Sequence, residues 1–260
     1  MPVDAIARRR IPVLLYHRID TDTDRARRPF CVAPGQFAAQ MRWLAEQGFQ
    51  TIDLHAMLDY YELNRPVPER AMVITFDDGY FCNYSRAFAI MSEHGFTGTI
   101  FLAANLMRAE QAKPMEGSNS FMSWPEVREM QDHGWSFQSH GLDHLIMTEI
   151  PPAQMRREII ESRRIIAEQL GQTVDFFCYP FAGFDESVEQ AVRAAGYRGA
   201  CGGPPFYENG PVSHYAIGRT EILEQDSFTQ FRFKIRQGLG YYYFTLRQLG
   251  KVKRVFSRAW

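Results

Sequence analysis

The sequence predicts an α/β fold, a distorted (β/α) barrel of about seven parallel strands that is TIM-barrel-like in plan. Short β-branched or aromatic runs alternate with amphipathic helical stretches about seven times along the 260 residues. This alternation favours a parallel sheet, either closed as a barrel or doubly wound. The polar residues of interest all lie just past the ends of predicted strands, where barrels carry their chemistry, and this favours the closed form.

The elements can be assigned in order from these patterns. The predicted strands, rich in β-branched and aromatic residues, are 12–16, 49–53, 72–76, 98–103, 135–139, 174–179, 197–201 and 216–222. The predicted helices are 36–47, 54–61, 84–94, one that begins at 124, 152–170, 186–195 and one that begins at 227. Glycines 48, 95, 134 and 171 end helices, and Ser123 with Glu126 forms a capping box. The polar stretch 104–122 is long for a loop, so we expect it to face a substrate.

The composition allows one large core and gives no sign of a membrane-spanning helix, a signal peptide or a disulfide framework. Hydrophobic residues make up 45% of the chain, and no stretch reaches 18 apolar residues or forms a signal-peptide core at the start. The four cysteines are far apart without a CxxC pair, which is typical of reduced thiols and favours a cytoplasmic location. We expect no nucleic-acid partner.

Charge is divided unevenly between the body and the C-terminal tail. The net charge is −1, and residues 227–260 carry eight Lys/Arg and no acidic residue, which leaves −1 − 8 = −9 for residues 1–226. We therefore expect a barrel over 1–226 and a basic, aromatic helical tail of the same domain over 227–260. From Tyr241 onward the tail suits an interfacial helix on anionic lipid, which would place the protein at the inner membrane surface. A helix packed on the barrel with a solvated basic face is the alternative.

The strand 72–76 runs directly into Asp77, Asp78 and Gly79. Neighbouring side chains diverge at a strand end, so one carboxylate can hold a metal while the other handles protons. Gly79 allows the backbone to turn sharply behind them. An ordinary Asp–Gly turn is the alternative.

Two histidines follow the strand 135–139. His140 and His144 are spaced i, i+4, which would put both imidazoles on one side of a helical turn and suits a divalent metal. Two unrelated surface histidines are the alternative. Together with the Asp–Asp strand end, the pair favours a two-His, one-carboxylate site for one divalent ion. Zinc is the favoured ion, with cobalt or nickel as substitutes.

Two more strand ends carry candidate residues. His17 follows the strand 12–16 and would lie beside the cluster in a closed barrel, although a lone histidine after an apolar strand is more often structural. Tyr179, Pro180 and Phe181 follow the strand 174–179. Pro180 fixes the backbone there, so the Phe181 amide could donate to an oxyanion, the alternative being an ordinary turn.

Together these motifs resemble the polysaccharide deacetylases, the NodB-homology group also called carbohydrate esterase family four. The resemblance covers roughly residues 11–230 and is carried by Thr75-Phe76-Asp77-Asp78-Gly79 and by Ser139-His140 with His144. It implies that Asp77 is the catalytic base, that Asp78, His140 and His144 are the metal ligands, and that Tyr179-Pro180-Phe181 is the groove and oxyanion segment.

The sequence departs from the usual family pattern in two places. The family's late catalytic histidine has no counterpart, since no histidine follows His214. Instead, Leu14-Leu15-Tyr16-His17-Arg18 resembles the permuted arrangement of biofilm poly-N-acetylglucosamine deacetylases, which would make His17 the acid. Cys178 stands where the family has an arginine that braces the base. Arg219 could replace that arginine, and an ordinary surface arginine is the alternative.

The resemblance implies a metal-dependent hydrolase that removes N-acetyl groups from a glycan or a lipid-linked sugar. In that mechanism the ion polarises the acetyl carbonyl and lowers the pKa of its bound water toward roughly 7. Asp77 takes the proton of that water, the Phe181 amide helps to hold the oxyanion, and His17 protonates the departing amine. An O-acetyl esterase, another amidase and a glycan-binding protein with a dead site are the alternatives.

Overall fold

A parallel β-sheet that curls into a nearly closed barrel forms the centre of the protein. The structure is a computed structural model that describes residues 9–21, 28–107, 120–203 and 214–235. Its strands are β1 (Val13–Tyr16), β2 (Arg18–Ile19), β3 (Cys31–Val32), β4 (Gln50–Thr51), β5 (Ala71–Phe76), β6 (Thr99–Leu102), β7 (Ser136–Ser139), β8 (Phe176–Cys178), β9 (Gly199–Gly203), β10 (Ile217–Gly218) and β11 (Thr220–Glu221).

The strand order explains how the sheet closes. It runs β10-β9-β8-β7-β6-β5-β1-β11, and each neighbouring pair is parallel. Strands β10 and β11 are separated only by Arg219, so the two ends of the sheet are joined through that residue. Counted as one interrupted strand, they bring the barrel to seven strands. The predicted barrel is confirmed. The strand predicted at 216–222 is broken at Arg219, where the pairing partner changes from β9 to β1, and the register of β10 on β9 also shifts between Ile217 and Gly218.

Helices surround the barrel on its outer face. They are α1 (Pro34–Glu46), α2 (Leu54–Leu63), α3 (Ala89–Ser92), α4 (Trp124–Asp132), α5 (Pro152–Leu170) and α6 (Glu186–Ala194). Residues 228–235 are also helical. The predicted capping box of Ser123 and Glu126 is present. The helix predicted at 84–94 is different, because it begins as a π-helix over Asn83–Phe88 before α3.

Two apolar clusters hold these layers together. One fills the barrel interior with side chains such as Val13, Val73 and Phe101, and the buried Leu54 and Met57 of α2 belong to it. The larger cluster lies between the strands and the outer helices. The alternation of inward and outward side chains along each strand supplies both clusters. The barrel interior is therefore packed, and the chemistry can lie only at its open, carboxyl end.

The last described helix packs against the barrel. Phe231 is fully buried and its ring lies 5.9 Å from that of Trp43 in α1. Ser227 accepts a hydrogen bond from the Gln230 amide and its own amide donates to the Gln230 side chain, which confirms the predicted cap.

Two predicted features fall mainly outside the described residues. They are most of the 104–122 loop and the tail beyond residue 235. In the ranges that are described, no helix combines the length and the apolar character needed to cross a membrane.

Candidate active site

The turn after β5 sends its two carboxylates in different directions. Asp78 and Gly79 both have positive φ angles, 72° and 79°. A Cβ atom at position 79 would lie 2.8 Å from both Leu102 and Met107, so only glycine fits there. The predicted divergence is confirmed, because Asp77 contacts Arg219 while Asp78 contacts His140 and His144.

Three donor atoms converge on one point beside Asp78. Its Oδ1 atom lies 3.0 Å from His144 Nε2 and 3.5 Å from His140 Nε2, and the two Nε2 atoms are 3.3 Å apart. Ligands of a tetrahedral zinc ion at about 2.0–2.1 Å would be about 3.3 Å from one another. Asp78 Oδ1 is buried and makes no geometrically acceptable hydrogen bond with any described residue. These residues therefore fit a divalent ion.

The surroundings of the two histidines shift their pKa values in opposite directions, and His140 is the one that is shifted toward the neutral, metal-binding form. His140 Nδ1 lies 2.8 Å from the carbonyl oxygen of Cys178, to which it can donate, and this leaves Nε2 free to bind a metal. Burial lowers the pKa of His140. At His144 burial acts in the same direction, but the neighbouring Asp78 outweighs it and raises the pKa.

The predicted helical turn between the histidines is wrong. Residues 140–146 form an irregular loop in which Gly141 has a φ of 83° and His144 a φ of 58°. The imidazoles meet because the loop folds back at these two left-handed residues. Helical periodicity does not bring them together.

A second group of possible ligands, Asp77, His140 and Cys178, also lies close together. It is the poorer metal site for two reasons. Both oxygens of Asp77 accept hydrogen bonds from Arg219. Burial raises the pKa of the Cys178 thiol well above its usual value, so the sulfur keeps its proton.

Arg219 reaches Asp77 through the barrel interior. Its Nη1 and Nη2 atoms donate to the two carboxylate oxygens at 2.7 Å each, and Nη2 also lies 3.0 Å from Cys178 Sγ. Burial alone would raise the pKa of Asp77, but attraction to Arg219 outweighs it and holds the pKa well below its usual value. The contact suggested for Arg219 is therefore present, and the surface alternative is wrong.

His17 lies close to both carboxylates. It is near enough to Asp77 and Asp78 to favour the charged form of both. Its Nδ1 atom is buried and has no hydrogen-bond partner among the described residues. Its ring lies 5.1 Å from that of Phe30, a side chain that is 41% exposed and that sequence reasoning did not single out.

The turn after β8 places an exposed aromatic ring at the site. Phe181 is 65% exposed and its ring lies 4.8 Å from that of His144. The amides of Ala182 and Gly183 donate to the carbonyls of Tyr179 and Pro180. The Phe181 amide takes no part in the hydrogen bonds described for this turn, so it is available to a ligand.

Tyr179 does not line the groove with its side chain, contrary to expectation. It is 1% exposed, its hydroxyl donates to the Tyr215 carbonyl and its ring stacks on Phe184. Pro180 is also buried. These two residues therefore support the turn from below, and Phe181 is the member of the segment that faces outward.

Backbone strain is concentrated at this site. Five non-glycine residues among those described have positive φ angles, namely Asn64, Asp78, His144, Phe181 and Ala182. Asn64 ends α2 in the ordinary way, and the other four surround the Asp–His cluster. Strain of this kind typically persists where a site requires it.

Sequence reasoning also missed Glu158, a buried residue of α5 whose carboxylate binds the loop between the two histidines. A signal was present in the helical pattern. Glu158 occupies the same face as the buried Met155, Ile159, Ser162 and Ile166, where an apolar residue is expected.

Comparisons with known proteins agree with the geometry. A family model described as polysaccharide deacetylase matches residues 64–200, just over half of the chain. The chain is 26% identical over 213 residues to the putative polysaccharide deacetylase YxkH of Bacillus subtilis (strain 168). This match covers 82% of this chain and 71% of the relative. It is also 26% identical over 121 residues to the poly-beta-1,6-N-acetyl-D-glucosamine N-deacetylase of Escherichia coli (strain K12), which covers 44% of this chain and 18% of that protein.

A solved structure supports the fold independently. The Streptococcus pyogenes deacetylase PplD, solved in complex with acetate, superposes with a TM-score of 0.76 at 21% identity, and the match covers 87% of this chain and 98% of that one. At this identity the likeness supports the barrel itself and not a substrate.

Proposed function

The chain belongs to the polysaccharide deacetylase family, and we propose that it removes N-acetyl groups from a glycan or a lipid-linked N-acetylhexosamine with the help of one divalent ion. The observation that carries the proposal is the contrast between two adjacent carboxylates. Asp78 converges with two imidazoles, and its buried Oδ1 atom has no hydrogen-bond partner among the residues that the structure describes. Asp77 is held on both oxygens by Arg219.

Asp78, His140 and His144 would hold the ion, with zinc the first choice and cobalt or nickel as substitutes. When bound, such an ion polarises an acetyl carbonyl and lowers the pKa of a water molecule to near neutrality. The carboxylate and the neutral His140 are suited to this role without a change of protonation, because the pKa of each is already shifted toward the ligating form.

Asp77 would act as the general base. Its pKa is depressed, so it remains ionised at neutral pH. Its Oδ2 atom accepts from both Arg219 and the Cys178 thiol, whereas Oδ1 accepts from Arg219 and has a further lone pair that can accept a proton from water. Arg219 fixes the orientation of the carboxylate and is a positioning residue.

The Phe181 amide would donate to the developing oxyanion. One such donor is typically worth about 3–4 kcal/mol in the transition state. Phe181 has a left-handed φ, and its N–H is absent from the hydrogen bonds described for this turn.

His17 would deliver the proton that an amine needs in order to leave. It lies near both carboxylates but makes no described side-chain hydrogen bond through Nδ1. A positioned acid of this kind contributes on the order of 10²–10⁴-fold.

Two exposed aromatic rings support a glycan as the substrate. Phe30 lies against His17 and Phe181 against His144, so rings flank the cluster at two places. Binding sites commonly combine aromatic walls with a few polar groups, and the C–H faces of a pyranose ring can stack on such walls. The Escherichia coli relative acts, by its name, on a polymer of N-acetylglucosamine.

The direct test uses the full-length chain loaded with zinc and oligomers of N-acetylglucosamine in β-1,6 and β-1,4 linkage. We expect equal amounts of acetate and free amine, both abolished by removal of the metal. Acetate released only from O-acetylated sugars would favour the esterase. Binding of the oligomers without release of either product would favour the dead, glycan-binding protein.

We further propose that the tail brings the enzyme to the cytoplasmic face of a membrane, beside lipid-linked sugars. The support is the cluster of aromatic and basic residues from Tyr241 to Trp260. A chain that ends at Gly240 keeps the helix 228–235, in which Lys234 is buried in an ion pair with Asp226. Co-sedimentation with anionic vesicles should be lost in this shorter chain; equal binding by both chains would contradict the proposal.

A further inference from the structure

The loop between the two proposed metal ligands is held by a carboxylate from the outer layer of the barrel. Glu158 lies in α5 and is 1% exposed. Its Oε2 atom accepts hydrogen bonds from the amides of Leu142 and Asp143, each at 2.8 Å. These two amides lie in the segment that separates His140 from His144.

Two carbonyls of the loop are also hydrogen-bonded by residues outside it. The carbonyls of Gly141 and Leu142 accept hydrogen bonds from the amides of Ala104 and Asn105 after β6. The loop is neither a helix nor a strand, so it lacks the regular backbone hydrogen bonds that fix those elements. The hydrogen bonds from outside the loop take their place. Glu158 supplies the acceptor for both central amides.

The loop is also pressed tightly against Glu158. A Cβ atom added at Gly141 would lie 3.3 Å from Glu158 Oε2 and 3.1 Å from Met147 Cε. The left-handed φ of Gly141 therefore coincides with a close approach to the carboxylate. A shift of Glu158 would be transmitted to the backbone that carries both imidazoles.

We propose that Glu158 is a positioning residue for the metal site, which sets the separation of His140 and His144 through the two loop amides. The inference rests on the proposed function, because it assumes that these histidines hold a divalent ion. One buried carboxyl oxygen accepts both N–H bonds and so fixes the two amides relative to α5, and leaving these buried donors unpaired is costly. Partners that orient ligands in this way typically change metal affinity about 10–100-fold when lost.

The test compares variants of the full-length protein that differ in what they offer the loop. Metal is removed with a chelator, and Co²⁺ is then titrated while its visible absorption reports binding and ligand geometry. Glu158→Leu removes the single oxygen that accepts from both amides and should weaken Co²⁺ binding about 10–100-fold. Glu158→Gln keeps an acceptor oxygen of the same reach and should stay within a few-fold of the wild type.

Ser162→Ala is the matched control. Ser162 lies one turn further along α5, is fully buried, and is hydrogen-bonded to Ser139 at the end of β7. It does not contact the loop amides in the described hydrogen bonds, so its loss should lower the melting temperature without changing Co²⁺ affinity. The amides of Leu142 and Asp143 should exchange with solvent faster in metal-free Glu158→Leu than in metal-free Ser162→Ala.

Wild-type affinity in a folded Glu158→Leu variant would overturn the inference and leave the proposed metal site intact. If that variant does not fold, Glu158→Asp replaces it, because its shorter carboxylate cannot reach both amides. Unchanged affinity there would also overturn the inference. Failure of the wild type itself to bind Co²⁺ would instead refute the proposed function, and the role of Glu158 with it.

Discussion

The two ends of the barrel each carry a cluster of aspartate and histidine, and the clusters differ in how their polar atoms are paired. At the amino end, His55 Nε2 lies 3.0 Å from Asp175 and His55 Nδ1 lies 3.5 Å from Asp53. Thr173 donates to Asp175, and the Ala56 amide donates to Asp53 as a helix cap. Each of these side chains has a partner within the cluster or its immediate surroundings.

At the carboxyl end the same residue types leave a shared point open. Asp78 Oδ1 and two Nε2 atoms face one another within 3.0–3.5 Å, and the buried oxygen makes no acceptable hydrogen bond to a described residue. Two of the backbone positions are strained at this end, those of Asp78 and His144, whereas no described residue of the amino-end cluster is. The comparison shows that residue composition alone does not separate the two clusters, and that convergence without internal pairing among the described residues is what distinguishes the proposed metal site.

The largest expected effect is a loss of bound metal when the cluster at the carboxyl end is changed. The matched change at the amino end should cause no such loss. Asp78→Asn removes the negative ligand while keeping a residue that tolerates positive φ. Metal affinity should fall by more than the roughly 10–100-fold typical of outer-shell partners, and activity with it. Asp175→Asn is the matched change at the amino end and should leave the metal content measured by elemental analysis unchanged. Equal loss of metal in both variants would contradict the assignment of the metal to the carboxyl end.

Asp77→Asn should separate catalysis from metal binding. It removes the base but none of the three converging atoms, so metal content should remain at the wild-type value. Turnover of an N-acetylated oligomer should fall on the order of 10²–10⁴-fold. Steady-state kinetics with elemental analysis on the same sample provide the measurement. Retained turnover would show that another group takes the proton.

Arg219→Gln should show how much the buried ion pair between Arg219 and Asp77 contributes to the free energy of unfolding. It leaves the buried Asp77 carboxylate without its cation, and breaking a buried pair typically costs about 3–5 kcal/mol in the free energy of unfolding. Arg198→Gln is the surface control, since Arg198 pairs with Asp59 near the amino end and should cost less than about 1 kcal/mol. Urea denaturation of both variants gives the comparison.

The same variant has a predictable pH dependence. The pKa of Asp77 is depressed in the folded wild type, so its stabilising contribution is present above the unfolded pKa of about 3.9 and is lost as the pH falls through the lower folded value. Arg219→Gln removes the strongest of the effects that oppose burial, so the pKa of Asp77 should be higher in the variant than in the wild type. As the pH falls, the carboxylate of the variant is therefore protonated before that of the wild type. The difference in the free energy of unfolding between the wild type and Arg219→Gln should therefore become smaller in acid. A difference that grows would contradict the pairing of Arg219 with Asp77.

His17→Ala should distinguish substrates by their leaving groups. Amides need a proton on the departing nitrogen, whereas activated esters do not. We expect about a 100-fold loss on an N-acetylated oligomer and little change on 4-nitrophenyl acetate. His94→Ala, a change in the outer helical layer next to Phe96, is the histidine control. Equal losses on amide and ester would refute the acid role without touching the metal site.

The smallest effect is expected at the amino end. Hydrogen bonds to Asp53 and then Asp175 raise the pKa of His55 against the effect of burial. Its contribution to stability is therefore complete below the unfolded pKa of about 6.5 and is lost as the pH rises through the higher folded value. Because the ring is partly exposed, His55→Gln should cost less than about 1 kcal/mol at pH 6 and still less at pH 9. A larger cost at pH 9 would show that the cluster is not the paired unit described above.

Much of the barrel and of its site follows from local sequence. Strand ends are marked by a change from β-branched to polar residues, and parallel strands bring those ends to one edge, so Asp77, Asp78 and His140 could be placed together before any coordinates. The position of His144 could be predicted only in part. Its imidazole reaches the site through a left-handed loop, and spacing alone does not encode that path.

The residues that sequence reasoning missed act across long separations. Glu158 contacts Leu142 from a different element, and one buried glutamate among many surface ones is hard to recognise without the helix face that it occupies. Phe30 approaches His17 because β2 and β3 pair within a stretch that looked like a plain polar loop. Arg219 could be suggested only as a replacement for a missing arginine. Its contact with Asp77 depends on closure of the sheet, which the local sequence does not show.

The strand that closes the barrel also delivers Arg219, and this links activity to the last stage of folding. Thr220 of β11 pairs with Leu14 of β1, residues from opposite ends of the described chain. Contacts between such distant residues form late and slowly. A nascent chain that has not yet released this segment from the ribosome can fold much of the barrel, but its Asp77 has no cation opposite it. The proposed base is therefore paired with its cation only once this segment is in place, and we expect incomplete chains to be inactive even where they are compact.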